Sequence, residues 1–212
     1  MVLEIRDLQQ KYGELEILNI PYWQIEKGIY WIQGENGAGK STLFRTLSGM
    51  LPYTGSIVLD GKFDLRKNPV DYKLRLNLGE AEPLYPSFLT PADLIAFVAE
   101  SKKSPEGQAE MLIEAFGVHY LSSPFGSYSS GMVKKVSLLL AFLGNPSVII
   151  LDEPLITIDQ EARASLFELI KSCYLKGVTF LLSSHQPFQH EGLTVSQSFA
   201  LKDKTLVPVS AL

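Results

Sequence analysis

Cysteine is almost missing: Cys173 is the single one in 212 residues. A disulfide within the chain needs two cysteines and a thiolate metal cluster needs more, so both are excluded, as suits a reducing cytosol. A basic excess is missing too. Nineteen Lys and Arg against 23 Asp and Glu leave a net charge of -4, which argues against a nucleic-acid partner. Nowhere do 18 apolar residues run uninterrupted, so no stretch reads as a bilayer span, and any spans are expected from another chain. The opening, Met1 to Leu8, alternates apolar and charged residues without the apolar core of a signal peptide. There is no internal repeat and no low-complexity linker. What remains is 46% hydrophobic, enough to bury the core of one large domain or two intimate lobes.

The chain is organised around Gly34-Glu35-Asn36-Gly37-Ala38-Gly39-Lys40-Ser41-Thr42, which fits G-x-x-x-x-G-K-[ST]. The motif needs a strand before it and a helix after it. Gly28–Gln33 is apolar and β-prone, and Ser41–Leu47 carries apolar residues at helical spacing. In that setting the backbone N–H groups of the loop converge on an anion and the new helix aims its positive end at the same point. Lys40 would reach the β- and γ-phosphates of a nucleotide, and the Ser41 hydroxyl would hold Mg²⁺.

Residues 2–33 otherwise predict short strands with a turn at Lys11-Tyr12-Gly13-Glu14, where an exposed Tyr12 ring could stack on a purine or could be an ordinary strand-end tyrosine. A strand is predicted at Gly55–Lys62; Phe63 to Asn77 is polar and ambiguous, and Leu78 to Pro86 reads as a loop. Helices are predicted from Thr90-Pro91 to Ala99, from Pro105 to Phe116 with Met111, Leu112 and Phe116 on one side, and from Met132 to Leu143. Val148-Ile149-Ile150-Leu151 is a continuous aliphatic run, as in a central parallel strand, and it ends on Asp152-Glu153. Two carboxylates at a buried strand end are costly unless they bind something. A helix over 160–175 should turn Ala164, Leu166, Phe167 and Ile170 inward, and Val178–Ser183 should be a buried strand ending at Ser184-His185. Such alternation predicts a largely parallel sheet with a ligand off its strand ends.

A phosphate loop, an acidic strand end, the serine-glycine helix start Ser129-Ser130-Gly131-Met132 and a histidine strand end, in this order, resemble the ATP-binding cassette (ABC) family over essentially the full length. The resemblance implies an α/β fold: a P-loop NTPase (RecA-like) core, an N-terminal antiparallel β subdomain, and a small helical subdomain at about 80–134, within one domain spanning 1–212. By that resemblance Asp152 holds Mg²⁺ through water, Glu153 polarises the attacking water, His185 bonds the γ-phosphate and Tyr12 becomes the adenine platform. Ser129 and Gly131 match the signature loop that touches the γ-phosphate held by an opposite subunit, which implies an ATP-sandwich dimer, homo- or heteromeric. Tyr128, Ser130 and Met132 depart from it. Asp159 fits the loop crossing the dimer interface, although Leu155-Ile156-Thr157-Ile158 departs from the usual small, glycine-containing stretch. Where the family has glutamine at the entry to the helical insert, Glu80 stands, and it is expected to contact the metal or its water; Glu82 is the rival under a shift of the loop.

The resemblance implies an ATPase peripheral on the cytoplasmic face of a membrane, paired with an integral membrane permease. Ser130-Gly131-Met132 and Leu84-Tyr85-Pro86 look like the exporter branch. A non-transport ABC ATPase, as in iron–sulfur assembly, and a P-loop small-molecule kinase are the alternatives.

Overall fold

The computed structural model describes residues 1–184 and 193–209. In chain order it contains β1 (Leu3–Tyr12), β2 (Leu15–Ile25), β3 (Ile29–Gln33), α1 (Lys40–Leu47), β4 (Thr54–Leu59), β5 (Phe63–Asp64), α2 (Pro69–Arg75), β6 (Leu76–Gly79), α3 (Pro91–Ser101), α4 (Gln108–Phe116), α5 (Ser130–Ala141), β7 (Val148–Leu151), α6 (Gln160–Leu175), β8 (Thr179–Ser183), β9 (Gln197–Lys202) and β10 (Thr205–Val209). Four strands form an antiparallel sheet in the order β2-β1-β4-β5. Six form a second sheet in the order β10-β9-β3-β8-β7-β6, parallel throughout except for the β9–β10 hairpin. This is the α/β architecture expected, with the antiparallel sheet at the N-terminal end.

The parallel sheet is apolar on both faces because both are covered. Tyr30, Ile32, Ile150 and Leu181 join a core with the antiparallel sheet and α1. Their alternates Ile29, Ile149, Leu151, Phe180 and Leu182 join a second core with α3, α4, α5 and α6. Strands β3, β6, β7 and β8 all run the same way, so the loop before α1 and residues Glu80, Asp152 and Ser184 all follow the same sheet edge. Ligands of such sheets sit off that edge.

Several local expectations are corrected. The stretch from Phe63 to Pro86 holds α2 and the four-residue strand β6, which pairs with β7 from Leu76↔Val148 to Gly79↔Leu151. Strand β6 escaped because Asn77 and Gly79 break its apolar run, and Asn77 is buried for a tertiary reason: its amide donates to Ala141 O and Leu143 O at the end of α5. Helix α4 starts at Gln108, after the left-handed Gly107, and not at Pro105. On α4, Leu112 and Phe116 are buried four residues apart while Met111 faces out, one step of 100° away. On α6 the buried small residue is Ala162, sharing a face with Leu166, Phe167 and Ile170, while Ala164 is exposed.

Candidate functional site

The phosphate loop lies between β3 and α1 as the motif requires. Gly39 begins α1 at φ 103°, a conformation open to glycine, and an added Cβ would stand 3.0 Å from Ile17 Cγ2 on β2. The loop therefore packs directly on the antiparallel sheet. Lys40 is buried, and its Nζ reaches back across the loop to Gly34 O at 2.7 Å and Glu35 O at 3.1 Å.

A cavity of about 250 Å³ is lined by Ile17, Asn36, Gly37, Gly39, Lys40, Ser41, Thr42, Asp152 and Glu153. The structure thus brings together the phosphate loop and the acidic strand end. Asp152 is 3% exposed and Glu153 9%. Asp152 N–H continues the parallel ladder to Gly79 O at 2.8 Å, and then Glu153 turns sharply, with φ 45°. A left-handed conformation costs a non-glycine residue ~1–2 kcal/mol, so tertiary contacts must hold this corner. Ser183 supplies one: its Oγ accepts from Glu153 N–H at 3.0 Å and donates to Asp152 Oδ1 at 2.5 Å.

The other site residues lie outside this cavity. Tyr12 ends β1 opposite Leu15, with its residue 49% exposed, so the ring is available for stacking. Ser129 caps α5, accepting from Met132 N–H at 3.3 Å. Gly131 sits so close to the loop after β7 that a Cβ there would stand 2.5 Å from Thr157 O. Asp159 caps α6 through Ala162 N–H at 2.8 Å and pairs with Lys135; the cap bond and that pairing hold its carboxyl below the usual range. Ser129, the serine expected in the signature loop, is therefore also the cap of α5. His185 lies outside the described residues.

Glu80 is placed differently from the expectation. Its carboxylate accepts from Arg45 Nε on α1 at 2.7 Å, and it lines a separate, largely apolar hollow of about 530 Å³ between α2, β6, α3 and α5. Glu82 is exposed. An arginine 35 residues upstream carries no motif that would have announced this pairing.

Lys134 was also illegible in sequence. Its residue is 1% exposed on α5, and Nζ donates to Glu80 O at 2.5 Å, Ala81 O at 3.2 Å and Asp152 O at 2.8 Å. One ammonium thereby ties α5 to the ends of β6 and β7. Burial pushes its pKa down to about 8, against the opposing pull of Asp152, Glu153, Glu80 and Glu82.

The family model described as ABC transporter matches residues 19–156. The lantibiotic transport ATP-binding protein SrtF of Streptococcus pyogenes is 30% identical over 209 residues, covering 97% of this chain and 90% of that protein. The spermidine/putrescine import ATP-binding protein PotA of Nitrosomonas europaea is 28% identical over 96% of this chain and 57% of its own length. A solved structure described as the ATP binding subunit of an ABC transporter matches with a TM-score of 0.85 at 27% identity, covering 97% of this chain and 88% of that one.

Proposed function

We propose, since the chain belongs to the ABC transporter family as one of its ATP-binding ATPase subunits, that it powers an exporter from the cytoplasmic face of a membrane. The observation that carries the ATPase assignment to particular residues is the single cavity shared by Lys40, Ser41, Asp152 and Glu153. Phosphoryl transfer asks chiefly for positioning and charge neutralisation. The loop amides and Lys40 would bind the β- and γ-phosphates, and Glu153 would orient the attacking water and accept its proton.

Ser41 and Asp152 offer the hard oxygen donors that Mg²⁺ prefers. Among the described residues no three His, Cys, Asp or Glu side chains converge on one point, and Mg²⁺ suits so sparse a protein contribution because phosphates and water complete its shell. When bound, the metal would offset charge on the phosphates. Glu80 has Oε1 committed to Arg45, which leaves Oε2 as the oxygen it could offer.

Ser129 and Gly131 lie away from their own chain's cavity, in keeping with their closing over nucleotide held by a second subunit. Among the described residues no helix is long and apolar enough to cross a membrane. We assign the apolar hollow beside Glu80, where Met50 and Val70 are exposed, to a cytoplasmic segment of the permease. The export direction rests on Ser130-Gly131-Met132, on Leu84-Tyr85-Pro86 and on the lantibiotic transport relative.

The test uses inside-out vesicles carrying the chain with its permease. Phosphate should be released from ATP with no acceptor added, and a labelled lantibiotic peptide should move inward. Glu153→Gln should keep ATP binding, lose nearly all turnover and trap a stable dimer. Normal turnover by that variant would remove Glu153 from its role, and a chain that purifies without any permease would favour the non-transport reading.

A further inference from the structure

Behind the two carboxylates stands one hydroxyl. Strands β7 and β8 pair in parallel with Leu151 opposite Leu182, so the residues that follow, Asp152 and Ser183, leave adjacent strands side by side. Ser183 is 0% exposed. A serine hydroxyl has one proton to give and lone pairs to accept with. Here the proton goes to Asp152 Oδ1 and a lone pair takes Glu153 N–H. With Oδ1 committed, Oδ2 is the Asp152 oxygen left for a ligand. With its amide held, Glu153 keeps the left-handed turn that directs the chain away from the sheet.

We propose that Ser183 is a positioning residue for hydrolysis, fixing the Asp152 carboxylate and the Glu153 backbone together through a single Oγ. It touches neither nucleotide nor metal; it acts through the two acids. The inference rests on the roles proposed above for Asp152 and Glu153. It adds that their geometry is set by a third residue 31 positions away from Asp152 in the chain. The hydroxyl, and not the volume of the side chain, is what matters.

The test compares Ser183→Ala, Ser183→Thr and Ser183→Cys in the full chain with its permease. Phosphate release is read against Mg²⁺ concentration, and ATP affinity is read separately with Mg²⁺ and with EDTA. Outer partners of metal-binding groups typically contribute 10–100-fold. Ser183→Ala should therefore lower kcat by about 10–100-fold and raise the Mg²⁺ concentration for half-maximal rate by about 10-fold, with ATP affinity in EDTA unchanged. Ser183→Thr, which keeps the hydroxyl, should restore most of both. If Ser183→Ala fails to fold, Ser183→Cys, similar in shape with a weak donor, should show the same two shifts. The proposal is overturned if Ser183→Ala, or a folded Ser183→Cys in its place, retains the wild-type kcat and Mg²⁺ requirement, or if a folded Ser183→Thr is as impaired as Ser183→Ala. Glu153→Gln measured alongside separates the two levels. Its normal turnover would remove the site assignment itself, whereas an inactive Glu153→Gln beside a normal Ser183→Ala would remove Ser183 alone.

Discussion

Thr157 carries a conformation its side chain resists. It stands at φ 67°, in the stretch where the family resemblance leads one to expect glycine, and a β-branched residue in the left-handed region is an outlier. The cost is ~1–2 kcal/mol relative to a residue free of Cβ. Thr157→Gly is thus expected to be more stable than Thr157→Ala by about 1 kcal/mol, because both lose the hydroxyl and only one loses the Cβ clash. Urea midpoints of the two variants check it; equal midpoints would mean the loop relaxes away from this geometry. The departure of Leu155-Ile156-Thr157-Ile158 from a small, flexible stretch is visible in sequence. That the threonine keeps a glycine-like backbone is not, because a backbone angle is not written in the identity of the residue that adopts it.

At the scale of elements, the contact of Thr157 O with Gly131 joins the start of α5 to the loop leading into α6, and the Lys135–Asp159 pair joins them again. Gly131→Ala would place a Cβ 2.5 Å from Thr157 O, and backbone cannot swing aside as a long side chain can. Forcing an extra carbon into a packed contact typically costs ~1–3 kcal/mol. We expect a melting temperature lower by several degrees and slower hydrolysis in the assembled transporter, both checked by calorimetry and phosphate release. Elements with a strong apolar signal, continuous runs in β7 and β8 and helical spacing in α6, were legible with their bounds nearly as found. Strand β6 was not, because it is short, ends in glycine, and owes its strand state to pairing with β7 and to Asn77 holding the end of α5. The β9–β10 hairpin likewise extends the sheet by pairing with β3, a partner more than 160 residues earlier in the chain.

Across the whole molecule, Lys102 belongs to the seam between the helices and the parallel sheet. Its Nζ donates to Lys73 O and, at 3.1 Å, to Leu76 O. Burial, with a smaller push from the Lys73 charge, lowers its pKa from 10.5 to about 8. The sign follows from linkage. Between about pH 8 and 10.5 the unfolded chain keeps a proton that the folded chain has released, so stability rises with pH over that window as the penalty of a buried charge fades. Lys102→Met should remove this contribution, so the stability of wild type relative to Lys102→Met should climb from pH 8 to 10.5; a constant difference in urea midpoints would refute it. The sequence by itself determined the phosphate loop with Lys40 and Ser41, the acidic strand end, and the parallel alternation of strands and helices. Each is written in consecutive residues whose spacing is the signal. Only the tertiary structure decided that Ser183 holds Asp152 and Glu153, that Arg45 takes Glu80, and that Lys134 binds the carbonyls of three residues. These partners are distant in the chain: helices α1 and α5 packed on the sheet carry Arg45 and Lys134 to theirs, and the pairing of β7 with β8 sets Ser183 beside Asp152. A hydrogen bond of that kind depends on register, and register is a property of the assembled sheet.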